Sequence, residues 1–146
     1  MFKLCMKAMF VLAVLLFSNS LAQDVDNVQI KAYKAAENIY MLEGQGGNIG
    51  IFFGHQGIFI IDDQFAPLHE KILSKIKELT TVDSAGQIGN MFVINTHYHG
   101  DHTGGNELLG KMGAVIVSHE NVRKRLSVEQ VMKFFNSTNP AMPGSG

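Results

Sequence analysis

The sequence has 146 residues, of which 46% are hydrophobic and 17% are charged. A chain of this length forms about one domain, and this composition excludes the disordered and collagen-like classes. Its 12 basic and 13 acidic residues give a net charge of −1, and no basic run could neutralise a row of phosphates. We therefore expect one globular domain that does not bind nucleic acid.

The first 22 residues have the pattern of a cleavable secretory signal. Lys3 and Lys7 precede an uninterrupted apolar run over 8–17, and small residues lead to a cleavage position after Ala22. This run is well short of the ~20 residues that span a bilayer, which argues against the alternative of a membrane anchor. We predict a signal peptide over 1–22 and a mature domain over 23–146. The expected location is periplasmic or secreted, without membrane association after cleavage.

The first part of the mature chain predicts a meander of short strands. Runs rich in β-branched and aromatic residues alternate with glycine-containing turns. The predicted strands cover 28–35, 39–43, 48–53 and 57–61. From Phe65 to Leu79 the apolar residues recur every three or four positions, which predicts an amphipathic helix with Pro67 in its first turn.

The second part predicts a strand, a short helix and a parallel strand, over 91–95, 106–112 and 114–117. Ser118 and the capping-box pattern that begins at Ser127 predict two further helices over 119–126 and 128–136. A meander followed by such units predicts a sheet with helices on one face and no partner for the other.

Four donor side chains lie within six residues directly after the predicted strand 91–95: His97, His99, Asp101 and His102. An extended segment places the first three on one face, and a turn at Gly100 can bring His102 to the same side. Imidazole and carboxylate groups suit Zn²⁺, with Fe²⁺ or Mn²⁺ as alternatives. The sequence therefore predicts a metal site, whereas the alternative is a solvated turn that binds metal only adventitiously.

The segment 95–106, which reads NTHYHGDHTGGN, resembles the signature loop of the metallo-β-lactamase superfamily. The resemblance extends to the glycine-rich meander and to the segments 57–63 and 118–123. It implies an α/β architecture, an αββα sandwich of two similar halves with one or two metal ions at its edge. This chain would form the amino-terminal half of that sandwich and would be truncated at its carboxyl end.

By this resemblance, His97 and His99 would bind a first zinc ion, while Asp101 and His102 would bind a second. Asp101 would also orient the attacking hydroxide, which makes it the expected catalytic residue. The family draws further ligands from its second half, and those motifs are absent from this sequence. The only cysteine, Cys5, lies in the predicted signal and supplies no ligand to the mature chain.

The remaining histidines and a pair of aspartates have competing interpretations. His55 and His69 are expected to be solvated, whereas His119 either approaches the metal or, more simply, begins a helix. Asp62 and Asp63 end a strand at the expected catalytic edge, where a carboxylate can accept the second ring N–H of a metal-bound histidine. The resemblance assigns that support to Asp62, and helix capping is the alternative for either residue.

These features predict a zinc-dependent hydrolase that attacks a β-lactam, a lactone or an ester carbonyl in a small-molecule substrate. The isolated chain is expected to bind metal weakly and to be inactive, because each ion would find only two protein ligands. Two alternatives stay open: an iron-dependent, persulfide-oxidising member of the superfamily, and a non-catalytic metal-binding fragment. The sequence does not predict the oligomeric state.

The signal prediction is testable on exported protein. Cleavage after Ala22 should give a mature chain that begins at Gln23, which amino-terminal sequencing would detect. An intact Met1 on exported material would contradict both the cleavage and the expected location.

Overall fold

The computed structural model describes residues 25–80, 89–132 and 137–142, so the predicted signal peptide lies outside the described residues. Six strands form one sheet in chain order, and two short strands form a second sheet. None of the helices in the described ranges is long and apolar enough to cross a membrane. The strands are β1 (Lys31–Ala36), β2 (Ile39–Glu43), β3 (Asn48–Gly54), β4 (Gly57–Ile61), β5 (Met91–Asn95), β6 (Val115–Ser118), β7 (Gln130–Met132) and β8 (Ser137–Asn139). The helices are α1 (His69–Leu79), α2 (Gly100–Thr103), α3 (Asn106–Lys111) and α4 (Glu120–Leu126).

The sheet is antiparallel at one end and parallel at the other. Strands β1 to β4 pair as an antiparallel meander. Strand β5 pairs in parallel with β6, as the strand–helix–strand pattern predicted, and it also pairs in parallel with β4. Because parallel neighbours point the same way, β4, β5 and β6 end at one edge of the sheet. The loops that follow β4 and β5 therefore meet there.

Helix α1 covers one face of the sheet. Its apolar spacing places Ile72, Leu73 and Ile76 in the buried core, as the helical period predicted. Across from them, Ile51, Ile60 and Val93 occupy paired positions on three neighbouring strands, and each is at most 1% exposed. Burial of one such side chain stabilises the fold by about 1.5–3 kcal/mol. This layer fixes the central strands that carry the site.

The opposite face of the sheet is apolar and largely uncovered among the described residues. One row of paired positions runs across five strands, and two of its aromatic rings stack at 4.9 Å. A second row crosses three strands beside it. We call this surface the open face. Its rows contain Ile39, Phe52, Phe59, Phe92 and Val115, and Ile61, Ile94 and Val117.

The predicted helix over 128–136 is wrong in its described part, because β7 occupies Gln130–Met132 and pairs with β8. Residues 133–136 lie outside the described residues. The capping signals serve helix α4 instead: Ser127 Oγ donates to Lys124 O at 3.0 Å. The Gln130 amide likewise donates to Arg125 O at 2.8 Å. Both side chains satisfy carbonyls at the end of α4, so no new helix begins here.

The open face should cause self-association of the chain from Gln23 to Gly146, since large exposed apolar patches favour it. Replacing Phe52 and Val117, which are 40% and 47% exposed, by lysine should shift the chain towards monomer in sedimentation velocity.

The matched control is the Leu108→Lys, Met112→Lys variant, whose two positions on and beside α3 are similarly exposed at 37% and 47%. It should leave the association almost unchanged. Equal effects of the two double variants would show that general charge, and not the open face, controls association.

Candidate metal centre

The site lies where β4 and β5 end at the shared edge of the sheet. Parallel pairing aligns Ile61 with Ile94, and Asp62 N–H donates to Ile94 O at 3.0 Å. Asp62 and Thr96 therefore leave their strands side by side. The backbone of Asp62 then turns into the left-handed region, with φ of 62°, and its side chain points along the edge towards the loop after β5.

Asp62 is the acceptor that holds this loop in place. Its carboxylate is buried and accepts from Thr96 N at 2.8 Å, from Thr96 Oγ1 at 2.8 Å and from His102 Nδ1 at 2.8 Å. Hydrogen bonds from several donors offset the cost of burying a carboxylate. The structure thus places Asp62 behind a predicted ligand, as the sequence predicted, and it does not cap the next helix.

The hydrogen bonds determine which ring nitrogens carry a lone pair. Thr96 Oγ1 donates its single proton to Asp62, so its oxygen can accept the Nδ1–H of His97 at 3.1 Å. That tautomer leaves a lone pair on His97 Nε2, which lies 3.1 Å from His99 Nδ1. One of these two nitrogens donates to the other, and loss of that proton would leave two ring nitrogens close enough for neighbouring positions in the coordination shell of one zinc ion.

A second pair of donors lies beside the first. His102 Nδ1 lies 2.8 Å from Asp62 Oδ2, and its Nε2 lies 3.3 Å from Asp101 Oδ2. The His97 and His102 rings are 3.9 Å apart between centroids, so both pairs belong to one cluster. The structure therefore brings all four sequence-predicted ligands together, and the chemistry of the donor set fits zinc.

The closest donor atoms form two pairs, His97 with His99 and Asp101 with His102. Within the ranges 25–80, 89–132 and 137–142, no group of three or more His, Cys, Asp or Glu side chains is arranged to hold one ion. A catalytic zinc ion normally has three protein ligands. The described residues therefore present two incomplete donor pairs.

The electrostatics of the cluster favour neutral imidazole at His97. Burial lowers the pKa of His97, and the neighbouring His102 and His99 lower it further. Only the neutral ring carries a lone pair that can bind a metal. The cluster therefore keeps His97 in its ligating form at neutral pH.

The two glycines after Thr103 allow the loop to approach the segment that follows β4. A Cβ at Gly104 would lie 2.6 Å from Gln64 O, and one at Gly105 would lie 3.1 Å from Asp63 Cβ. Gly105 N–H also donates to Asp63 Oδ1 at 3.0 Å. The Thr-Gly-Gly sequence is thus explained by close backbone contact, which only glycine permits.

Asp63 has a role distinct from that of its neighbour. It is 2% exposed, and its Oδ2 has no hydrogen-bond partner among the described residues. Burial raises the pKa of Asp63 to about 7, although the hydrogen bond from Gly105 opposes the shift. The capping alternative is partly correct, because Asp63 bonds to the amino-terminal end of α3 and not to the next helix in the chain.

The other histidines lie outside the cluster. His55 lies in an exposed turn, as expected. His69 was expected to be solvated, and this is wrong: it is 5% exposed, and burial lowers its pKa. His119 caps α4 by accepting from Asn121 N–H at 3.1 Å, so its helix-entry role is confirmed, and Ser118 is not the cap.

Three contacts at the site were not predicted from the sequence. Gln64 bonds to the turn after β2. The Arg125 guanidinium lies 5.2 Å from the centroid of the Tyr98 ring, a cation–π contact between α4 and the loop. Asn106 Nδ2 donates to Asn95 Oδ1 at 2.8 Å. All three join residues far apart in the chain, and no local pattern signals them.

Comparison with known proteins agrees with this geometry. Residues 91–139, which contain β5 and all four donors, match the sequence model of the metallo-beta-lactamase superfamily. The DIM-1 metallo-beta-lactamase aligns with a TM-score of 0.55 and 19% identity, over 79% of this chain and 50% of its own. This chain has the metallo-β-lactamase fold. The resemblance predicted from the signature loop is thereby confirmed, and the architecture is a partial metallo-β-lactamase fold.

Two further solved structures give the same result. FIM-1 from Pseudomonas aeruginosa, in its mono-zinc form, aligns with a TM-score of 0.54 and 18% identity, over 79% of this chain and 50% of its own. A HARLDQ motif mutant of a metallo-beta-lactamase from Cronobacter sakazakii aligns with a TM-score of 0.57 and 17% identity, over 66% of this chain and 37% of its own. The metallo-β-lactamase-fold chain spans half or less of these structures. No curated protein matches it.

The raised pKa of Asp63 predicts a pH-dependent stability. Between its ordinary value of 3.8 and about 7, the folded chain binds a proton that the unfolded chain releases, so this group destabilises the fold as pH rises. Asp63→Asn should therefore gain free energy of unfolding relative to the wild type as the pH rises from about 4 to about 7. Urea denaturation at several pH values, in buffer that contains a metal chelator, would measure this gain in the free energy of unfolding.

The exposed Asp26→Asn variant is the control for loss of a carboxylate. The difference between its free energy of unfolding and that of the wild type should change little over the same pH range. A difference between Asp63→Asn and the wild type that stays constant with pH would show that Asp63 is ionised throughout.

Proposed function

We propose that the metallo-β-lactamase-fold chain supplies the donor cluster of a zinc-dependent hydrolase. The observation that carries the proposal is the orientation of two rings: Nδ1 of His97 lies 3.1 Å from Thr96 Oγ1 and Nδ1 of His102 lies 2.8 Å from Asp62 Oδ2, so Nε2 of each ring faces the other donors of the cluster. A solvated histidine-rich turn would not need a buried carboxylate to fix its rings. The match of residues 91–139 to the superfamily supports the same conclusion.

Zinc held by these donors would lower the pKa of water to about 7 and so supply hydroxide at neutral pH. The chain's own residues have three tasks in this proposal. His97 and His99 present two nitrogens 3.1 Å apart, and Asp62 fixes the His102 ring. Asp101, with a side chain 31% exposed, can orient a nucleophile at the surface of the cluster.

The proposed substrate class is a small molecule with a β-lactam, lactone or ester carbonyl. The predicted signal supports this class, because an exported enzyme meets such compounds before it meets cytosolic thioesters. The names of the aligned structures, which include DIM-1 and FIM-1 metallo-beta-lactamases, support a β-lactam first. We propose that the enzyme acts in the periplasm or after secretion.

Alanine variants of the full-length protein test the proposal. His97→Ala, His99→Ala and Asp101→Ala should each lower the turnover of a chromogenic β-lactam or a lactone by orders of magnitude, since each removes one of very few ligands. Circular dichroism should show an intact fold. His55→Ala is the matched control, because this exposed histidine lies outside the cluster, and it should leave turnover unchanged.

Zinc titration by calorimetry separates the proposal from its alternatives. The chain from Gln23 to Gly146 should bind zinc weakly, because each donor pair offers two ligands. Near-normal turnover in all three alanine variants would contradict the hydrolase. An iron-only, oxygen-consuming full-length protein would favour the persulfide-oxidising alternative, and absence of activity in every assay would favour a non-catalytic fragment.

A further inference from the structure

Gln64 joins the segment after β4 to the glycine-rich turn between β2 and β3. Its side chain is fully buried, and its backbone lies in the left-handed region with φ of 58°. Gln64 Oε1 accepts from Gln45 N–H at 3.1 Å, and Gln64 Nε2 donates to Gly47 O. Both polar ends of one amide are therefore used on a single turn, which comprises residues 44–47.

The turn contacts Gln64 on one side. A Cβ at Gly44 would lie 2.6 Å from Gln64 Oε1 and 2.9 Å from Ile30 Cδ1. A larger residue at this position would displace the Gln64 amide or the Ile30 side chain. The contact therefore fixes how closely the turn approaches the segment after β4.

The same turn contacts the second donor pair on its other side. A Cβ at Gly47 would lie 2.9 Å from His102 Cε1 and 3.1 Å from His102 Nε2. A Cβ at Gly46, where φ is 90°, would lie 2.9 Å from Asp101 Cβ. Bare glycine backbone thus lies directly against the two side chains whose donor atoms are 3.3 Å apart.

We propose that Gln64 is a positioning residue, whose buried amide holds the 44–47 turn against Asp101 and His102 and so fixes the geometry of that donor pair. A turn with three glycines has many accessible conformations, and two hydrogen bonds from a buried amide select one of them. His102 is then confined on both sides, by Asp62 at Nδ1 and by the Gly47 backbone, which leaves no room for a Cβ beside the ring. The metal-binding consequence rests on the proposed function.

A double-mutant cycle tests this role in the full-length protein. Gly47→Ala should push against His102 only while Gln64 holds the turn. In the wild-type background, Gly47→Ala should weaken the affinity for Co²⁺ by about tenfold, as measured by the visible absorption of the bound ion. In the Gln64→Met background, where the turn can move away, the same change should weaken binding less than about twofold.

The controls are Gly110→Ala and Gln56→Met. Gly110 lies on α3 with open space around its Cα, and Gln56 lies in an exposed turn. Both should leave Co²⁺ binding unchanged, alone and together. Additive effects of Gly47→Ala and Gln64→Met on affinity would overturn the positioning role.

A second readout needs no metal. In chelator, Gln64→Met should speed hydrogen exchange at Gln45 N–H by about tenfold or more while the amides of β5 stay protected. Gly47→Ala should shift the NMR signals of the His102 ring only when Gln64 is present. If the two substitutions shift the His102 ring signals non-additively but the protein binds no Co²⁺, the hydrolase proposal is wrong and the positioning role stands. If their ring shifts are additive, the positioning role is wrong, whether or not a metal binds.

Discussion

The buried carboxylate of Asp62 is the interaction on which the site depends. It lies at the point where β4 ends, and it accepts hydrogen bonds from the backbone and side chain of Thr96 and from the ring of His102. A buried carboxylate that lost these donors would be costly, so the loop after β5 is held firmly to the end of β4. The same bonds direct Nδ1 of His102, and through Thr96 that of His97, towards protein partners, which leaves Nε2 of each ring as the nitrogen for the proposed metal.

Three consecutive residues after β4 organise three different parts of the site. Asp62 holds the donor loop, Asp63 holds the amino-terminal end of α3, and Gln64 holds the 44–47 turn. Side chains of successive residues can diverge in this way because Asp62 and Gln64 adopt positive φ. Such a conformation costs of order 1–3 kcal/mol for a residue other than glycine. The hydrogen bonds that it makes possible offset that cost, which is typical of functional sites.

Local patterns predicted the elements that depend on local physics. The alternation and turns of the meander, the helical period of α1 and the donor spacing of the loop could all be read from neighbouring residues. The prediction of a helix over 128–136 was wrong because Ser127 and Gln130 bond to carbonyls at the end of the preceding helix α4. The sequence alone does not show whether such side chains begin a new helix or end the one before. The solvated interpretation of His69 was wrong because its burial, at 5% exposed, comes from tertiary packing that the neighbouring residues in the sequence do not reveal.

Gln64 could not be predicted as a site residue, because its two partners lie on a turn that is distant in sequence and close only through the antiparallel pairing of β2, β3 and β4. In the sequence, a glutamine that follows two aspartates gives no signal of a contact, because only the folded sheet brings the 44–47 turn next to it. The signal that was available is the cluster of glycines at 44–47, which indicated a turn but not what it contacts.

The open face and the donor cluster meet at the same edge of the sheet. Ile94 belongs to the open face, Asn95 ends β5, and Thr96 begins the loop that carries the donors. Asn95 Nδ2 donates to His102 O at 3.0 Å, so the end of β5 contacts the cluster directly. A cover packed on the row of Ile61, Ile94 and Val117 would therefore also restrain the strand ends that position the donors. In the proposed metal site, the last residues of β5 would therefore connect the packing of the sheet to the placement of the donors.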